Sequence, residues 1–133
     1  MPMRSLLVLG MLSLLIGCSG TGSPELEAPL TSWRFVSIDG KAPASDRAEL
    51  LIFEGRLVAS AGCNRLSAPV EVVPGQLKVG SIASTKMHCR DIMEQESALA
   101  ELLEASPAFF IEGNRFAMRS QAHSAELIKI PNR

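Results

Sequence analysis

Among the residues able to act as nucleophiles, proton carriers or soft metal ligands, the cysteines and histidines are few: Cys18, Cys63, Cys89, His88 and His123. A cysteine nucleophile needs a thiolate, a histidine base within about 3 Å and a third group that orients the base. Cys89 and His88 are sequence neighbours, and in an extended strand neighbouring side chains point to opposite faces, so His88 is badly placed to serve Cys89. A structural zinc ion takes four ligands; Cys63, Cys89 and His88 offer three, with only His123 as a distant fourth. His123 falls in the polar stretch Ser120 to Ser124 and is read as a solvated side chain. For serine hydrolysis there is no Gly-x-Ser-x-Gly elbow and no credible Ser/His/Asp set. No catalytic residue, metal site or cofactor is expected, and a thiol or metal site at Cys63, Cys89 and His88 stands as the minor alternative.

The fate of Cys18 follows from what precedes it. Arg4 supplies a positive start, Leu6 to Ile16 is an apolar run broken only by Gly10 and Ser13, and Gly17 sits beside Cys18. That order is the anatomy of a secretory signal. The run is too short for a membrane span, which needs roughly 20 apolar residues. Leu15-Ile16-Gly17-Cys18 resembles the lipobox of bacterial lipoproteins. The resemblance implies cleavage before Cys18, lipidation of Cys18 by palmitate-type acyl chains, and a membrane partner held through that anchor, since several acyl chains anchor durably where one is marginal. Ser19 stands where an aspartate would signal inner-membrane retention, so the expected location is the envelope, facing the periplasm, at the outer membrane. Residues 1–17 are then the signal peptide, 18–29 the lipidated cysteine with a Gly-, Ser- and Pro-containing tether, and 30–133 one folded domain. The tether from Ser19 to Pro29 extends at most about 36 Å.

With Cys18 given to lipid, the odd cysteine count leaves Cys63 and Cys89 as a pair. In an oxidising compartment the first reading is a disulfide, worth roughly 3 kcal/mol in the chain-entropy model. Charge excludes another class of partner: 13 basic against 14 acidic residues give a net charge of −1, with no basic cluster, so no nucleic acid is expected to bind.

The elements that must position these residues are mostly short segments of β-type alternation between turn residues. Trp33–Ile38 ends at Asp39-Gly40; Glu49–Phe53 and Arg56–Ser60 flank Glu54-Gly55; Gln76–Ile82 follows Pro74-Gly75; Phe109–Glu112 and Arg115–Arg119 flank Gly113-Asn114; Glu126–Ile130 closes the chain. One segment, 91–105, carries Ile92, Leu99, Leu102 and Leu103 at helical spacing with acidic residues elsewhere on the wheel, and Pro107 stands beyond it as a stop signal. The expected fold is β-rich α+β: a strongly curved antiparallel sheet or partly closed barrel of about seven to eight strands with one amphipathic helix at about 91–105.

Ala61-Gly62-Cys63-Asn64-Arg65, the stretch Ile82 to Cys89 with Thr85-Lys86-Met87-His88-Cys89, and an acidic helix containing Glu96 resemble the META domain of HslJ-type proteins. The resemblance runs from Trp33 to the final hairpin, with one departure at Ala68-Pro69, where the family more often has an aromatic residue and glycine. It implies a small β-rich envelope domain, associated in some bacteria with heat-inducible expression and novobiocin tolerance, and no reaction. Gly62-Cys63-Asn64 reads first as a turn, because glycine and asparagine tolerate positive φ and an Asn side chain can tie nearby backbone. A functional reading places Asn64, Arg65, Thr85 and Lys86 on one polar binding rim. The expected role is non-enzymatic: support of envelope integrity or stress tolerance by binding another envelope component, protein or lipid. The alternative is a periplasmic module that binds a small apolar ligand or lipid in an apolar cleft where the barrel opens.

Overall fold

The computed structural model describes residues 28–131. Nine strands and one helix follow in the order β1 Thr31–Ile38, β2 Glu49–Phe53, β3 Arg56–Ser60, β4 Leu66–Val73, β5 Gln76–Val79, β6 Ala83–Ser84, α1 Met93–Glu104, β7 Ala108–Glu112, β8 Arg115–Arg119 and β9 Ser124–Lys129. The sheet runs β3-β2-β1-β9-β8-β7-β5-β4, and β4 pairs back onto β3, so eight antiparallel strands close a barrel with β6 as an additional strand on β4. The curved sheet expected from the alternation is therefore fully closed. Closure removes the open edges that a sheet of this size would otherwise expose.

Two-residue turns make the hairpins, with glycine in the left-handed region at Gly55 (φ 75°) and Gly113 (φ 60°). The weakest closure is the β5–β7 seam, a single residue pair, Gln76 with Ala108, flanked by Leu77 N–H to the Pro107 carbonyl (3.0 Å) and Phe109 N–H to the Gly75 carbonyl (3.0 Å).

Strand β4 departs from the sequence reading, which assigned no strand to residues 66–73. Its buried positions alternate at Leu66, Ala68 and Val70, so the period is present, but Pro69 lies in the middle and lacks a donor for the ladder. The ladder yields at that point. The Pro69 carbonyl accepts the Gly80 N–H at 2.9 Å, and the expected strand Gln76–Ile82 ends early, as β5 at Val79, with β6 beyond its expected end.

The interior is filled by side chains. Trp33, Phe35, Leu50, Leu57, Leu77, Phe116, Met118 and Leu127 are each at most 3 % exposed. The ring of Phe116 lies 5.1 Å from Trp33 and 5.6 Å from Phe109. Helix α1 adds Leu99, Leu102 and Leu103, all fully buried, to the same core, which is why the leucine spacing was legible as a core-facing stripe. Among the described residues these side chains form one continuous core.

The helix seals one end of the barrel. Its polar residues bond to the segments that follow β1 and β3: Gln95 Oε1 accepts the Ala44 N–H (2.7 Å) and its Nε2 donates to the Ala42 carbonyl (2.8 Å), while Glu96 reaches Asn64. At its C-terminus Ser106 turns the chain with φ 49°, and its Oγ accepts the Val79 N–H at 3.0 Å. The opposite end carries the β2–β3, β4–β5 and β7–β8 turns and the start of β1.

Candidate functional site

Both clusters of interest sit at the helix-bearing end. The first is built around Cys63 and Cys89, which are joined as a disulfide with an S–S distance of 2.09 Å and a Cα–Cα distance of 5.9 Å. The expected pairing is therefore present, and neither sulfur is a thiol. The bond ties the loop after β3 to the segment before α1, a segment with little regular structure of its own. Between them lies Asn64, 3 % exposed. Its Nδ2 donates to Glu96 Oε1 (2.6 Å) and to the Met87 carbonyl (2.8 Å), and its Oδ1 accepts from the Met87 N–H (2.6 Å) and Thr85 Oγ1 (2.9 Å). The Asn64 backbone N–H donates to Glu96 Oε2 at 3.0 Å. Glu96 is itself a buried carboxylate, 7 % exposed, satisfied by those two donors. A buried carboxylate without such partners would cost several kcal/mol.

The residues assigned to a polar rim are thus divided. Asn64 lies beneath the surface with its side chain saturated. Thr85 is exposed but has its hydroxyl turned inward, donating to Asn64 and accepting the Arg65 N–H at 3.0 Å. Arg65 and Lys86 are exposed; Arg65 lines a recess of about 250 Å³ together with Arg47, Glu49 and Cys63. Gly62 makes the close approach possible: its φ is 113°, and a Cβ there would fall 2.3 Å from the Ser45 Cβ.

The second cluster was missed in the sequence. His123, read as solvated, is instead held between two carboxylates: Nδ1 lies 2.7 Å from Asp39 Oδ2 and Nε2 lies 2.6 Å from Glu101 Oε2, with the imidazole side chain 18 % exposed. A neutral imidazole has one N–H, so donation to two carboxylates requires the doubly protonated ring. The hydrogen bonds to Asp39 and then Glu101 raise the His123 pKa above its ordinary 6.5. On Asp39 burial pushes upward, but it is outweighed by the Ser124 backbone N–H and the His123 ring, and the net shift is downward. The three residues come from the β1–β2 turn, the helix and the β8–β9 loop, and together they clamp α1 onto the barrel. With both nitrogens engaged, His123 has no free lone pair for general-base work. No sequence signal marks this cluster, because its members are joined only by the closure of the barrel.

Beside the clamp lies an open recess of about 750 Å³, bounded by the C-terminal end of α1 and the β8–β9 loop, with Glu101, Ser106, Arg119, Gln121 and His123 among its lining. Among the described residues no group of three or more His, Cys, Asp or Glu could hold a metal ion. No helix among them is long and apolar enough to cross a membrane. Cys18 and residues 1–17 lie outside the described residues.

Comparison with known proteins agrees with this architecture. A family model described as the META domain matches residues 25–131. No curated protein matches the chain. Among solved structures, the fold is similar to an NMR structure with a TM-score of 0.68 and 21 % identity, covering 76 % of this chain and 90 % of that one. It is also similar to the NMR structure of a protein from Burkholderia xenovorans, with a TM-score of 0.61 and 18 % identity, covering 77 % and 83 %. At these identities the structural likeness speaks for the fold alone, whereas the family model spans the whole barrel with its disulfide, its Asn64–Glu96 pair and its sealing helix: this chain belongs to the META domain family.

Proposed function

We propose that this protein is a lipid-anchored envelope module, attached through Cys18 and facing the periplasm at the outer membrane, which binds another envelope component and catalyses no reaction. The META domain is not a known enzyme family, and it points to an envelope-associated, non-enzymatic module. The observation that carries the binding role is the open recess beside the His123 clamp, where Arg119, Gln121 and Ser106 offer one cation, an amide and a hydroxyl on a rigid frame. Arg65 and Lys86 are exposed at the same end of the barrel, outside that recess. A frame stapled by a disulfide also suits an oxidising compartment. Resemblance to HslJ-type proteins supports the physiological side of the reading, a contribution to envelope integrity under heat or novobiocin.

A photo-reactive residue in place of Gln121, in the full chain expressed in its own envelope, tests the proposal. The expected result is a discrete cross-linked adduct that disappears when Arg119→Glu is added, with the Arg119→Glu strain as sensitive to novobiocin as the deletion strain. An abundant protein that yields no adduct, or a deletion strain with unchanged permeability and tolerance, would overturn it.

A further inference from the structure

Five of the seven large hydrophobic side chains left exposed among the described residues lie at one end of the barrel. They are Leu30 (69 % exposed), Val72 (53 %) and Ile111 (47 %) at the mouth, with Phe110 (64 %) and Ile128 (37 %) on the adjoining outer wall, where Val36 (44 %) lines the same recess. Isolated exposed apolar side chains are ordinary on a protein surface; their concentration on one rim is not. Backbone bonds tie neighbouring elements together at this end: Leu30 N–H to the Ile52 carbonyl (2.8 Å) joins the start of β1 to the end of β2, Lys129 N–H to the Asn114 carbonyl (2.8 Å) joins the end of β9 to the β7–β8 turn, and Phe109 N–H to the Gly75 carbonyl (3.0 Å) joins the first residues of β7 to the β4–β5 turn. Val72 and Ile111 have the inward parity of their strands, since they stand opposite buried Leu77 and Phe116, yet they emerge past the filled core at the barrel mouth. Phe53 at the same end is treated differently: it is 8 % exposed, with the Arg56 guanidinium 4.4 Å over its ring. Among the described residues no cation lies over the Phe110 ring.

The position of the chain's entry identifies the occupant. The barrel begins at Thr31, on this same rim, and Cys18 lies only twelve positions before Leu30. The intervening segment reaches at most about 36 Å even when fully extended. A tether entering at this end therefore holds the apolar rim against the bilayer without having to pass along the barrel, and keeps it at the high local concentration that lets a weak contact persist. Charge fits a headgroup layer: Glu54 and Glu112 at the turns are outnumbered by Arg56, Arg115 and Lys129, and long basic side chains can bury their stems while keeping their charge at the surface.

We propose that the mouth of the barrel opposite the helix, formed by Leu30, Val72 and Ile111 with Phe110 and Ile128 on the outer wall beside it, docks onto the lipid surface, so that the helix-bearing end with its polar recess faces away from the membrane. The inference rests on Cys18 being lipidated. Docking fixes the orientation of a domain that a tether alone would leave free to tumble.

The test uses the mature, full-length protein reconstituted in vesicles of phosphatidylethanolamine and phosphatidylglycerol with brominated acyl chains. Phe110→Trp and Ile111→Trp probe the rim, Ala122→Trp probes the far end, and the parent chain, whose single Trp33 is buried, sets the baseline. All three probe positions are exposed, so the fold has room for the indole. The expected result is that the rim tryptophans lose about half their emission, as groups seated ~5–10 Å into the headgroup–acyl boundary do, while Ala122→Trp is unchanged. Vesicle-bound protein with lipid mass on Cys18 but no quenching at the rim overturns the docking and leaves the anchor standing; a rim covered by another protein or a second copy gives this result. Equal quenching at both ends also overturns it. Protein that fails to bind vesicles and carries no mass on Cys18 overturns the anchor and the docking together.

Discussion

Replacement of Asn64 by alanine isolates the interaction on which the helix-bearing end depends most. The substitution removes four side-chain hydrogen bonds, those to Glu96 Oε1, the Met87 carbonyl, the Met87 N–H and Thr85 Oγ1. The Met87 and Thr85 groups lie in an exposed segment and recover water, so their net loss is small. Glu96 recovers little, because it is 7 % exposed and retains only the Asn64 backbone N–H. Loss of a charge-assisted bond to a buried carboxylate costs about 1.5–3 kcal/mol, and the shared contribution of the neutral bonds brings the expected destabilisation to about 3 kcal/mol. For a domain of this size that lowers Tm by roughly 10–20 °C. The assay is thermal and urea unfolding of the oxidised protein at neutral pH, followed by circular dichroism. Asn64→Asp is expected to be worse, since it places a second carboxylate where the amide now lies 2.6 Å from Glu96. The double variant Asn64→Ala/Glu96→Ala is expected to be more stable than the sum of the single losses by at least about 1 kcal/mol, the mark of direct coupling. An Asn64→Ala protein within about 0.5 kcal/mol of the parent would refute the argument, because that is the range of surface substitutions that touch nothing.

Two further outcomes follow from neighbouring features. Replacing both Cys63 and Cys89 by alanine is expected to lower stability by about 3 kcal/mol without changing the strand content, measured by urea unfolding and circular dichroism. The His123 clamp gives a pH dependence of defined sign: its folded pKa is raised above 6.5, so its stabilisation is complete below that value and is lost as pH rises through the folded pKa. Asp39, whose pKa is lowered, works in the opposite sense, contributing above its ordinary 3.8 and losing that contribution as pH falls through its folded value. Thermal melts from pH 6 upward are expected to show a decline in the parent protein that His123→Gln lacks. An identical decline in both would remove the clamp from the explanation.

The polar segment Ser120 to Ser124 has the composition of a solvated loop, yet its His123 is gripped by two carboxylates from distant parts of the chain. The strands, the helix and the core stripe follow from the local alternation of apolar side chains and the placement of Gly, Pro and Asn, because strand and helix impose fixed periods on burial. The pairing of Cys63 with Cys89 followed from counting thiols, whereas of Gly62 and Asn64, read as turn residues, only Gly62 uses positive φ, and Asn64 acts through bonds to Glu96, Met87 and Thr85. Pro69 hid β4, since a donorless residue in mid-strand is tolerated only where the neighbouring ladder also breaks, and that depends on Gly80 across the sheet. The closure of the barrel, the burial of Glu96 beneath Asn64, the grip of Asp39 and Glu101 on His123, and the gathering of exposed apolar side chains at one mouth were decided by tertiary structure. Each joins residues far apart in the chain, and the energy that joins them exists only once the eight strands have closed and brought those groups within a few ångströms.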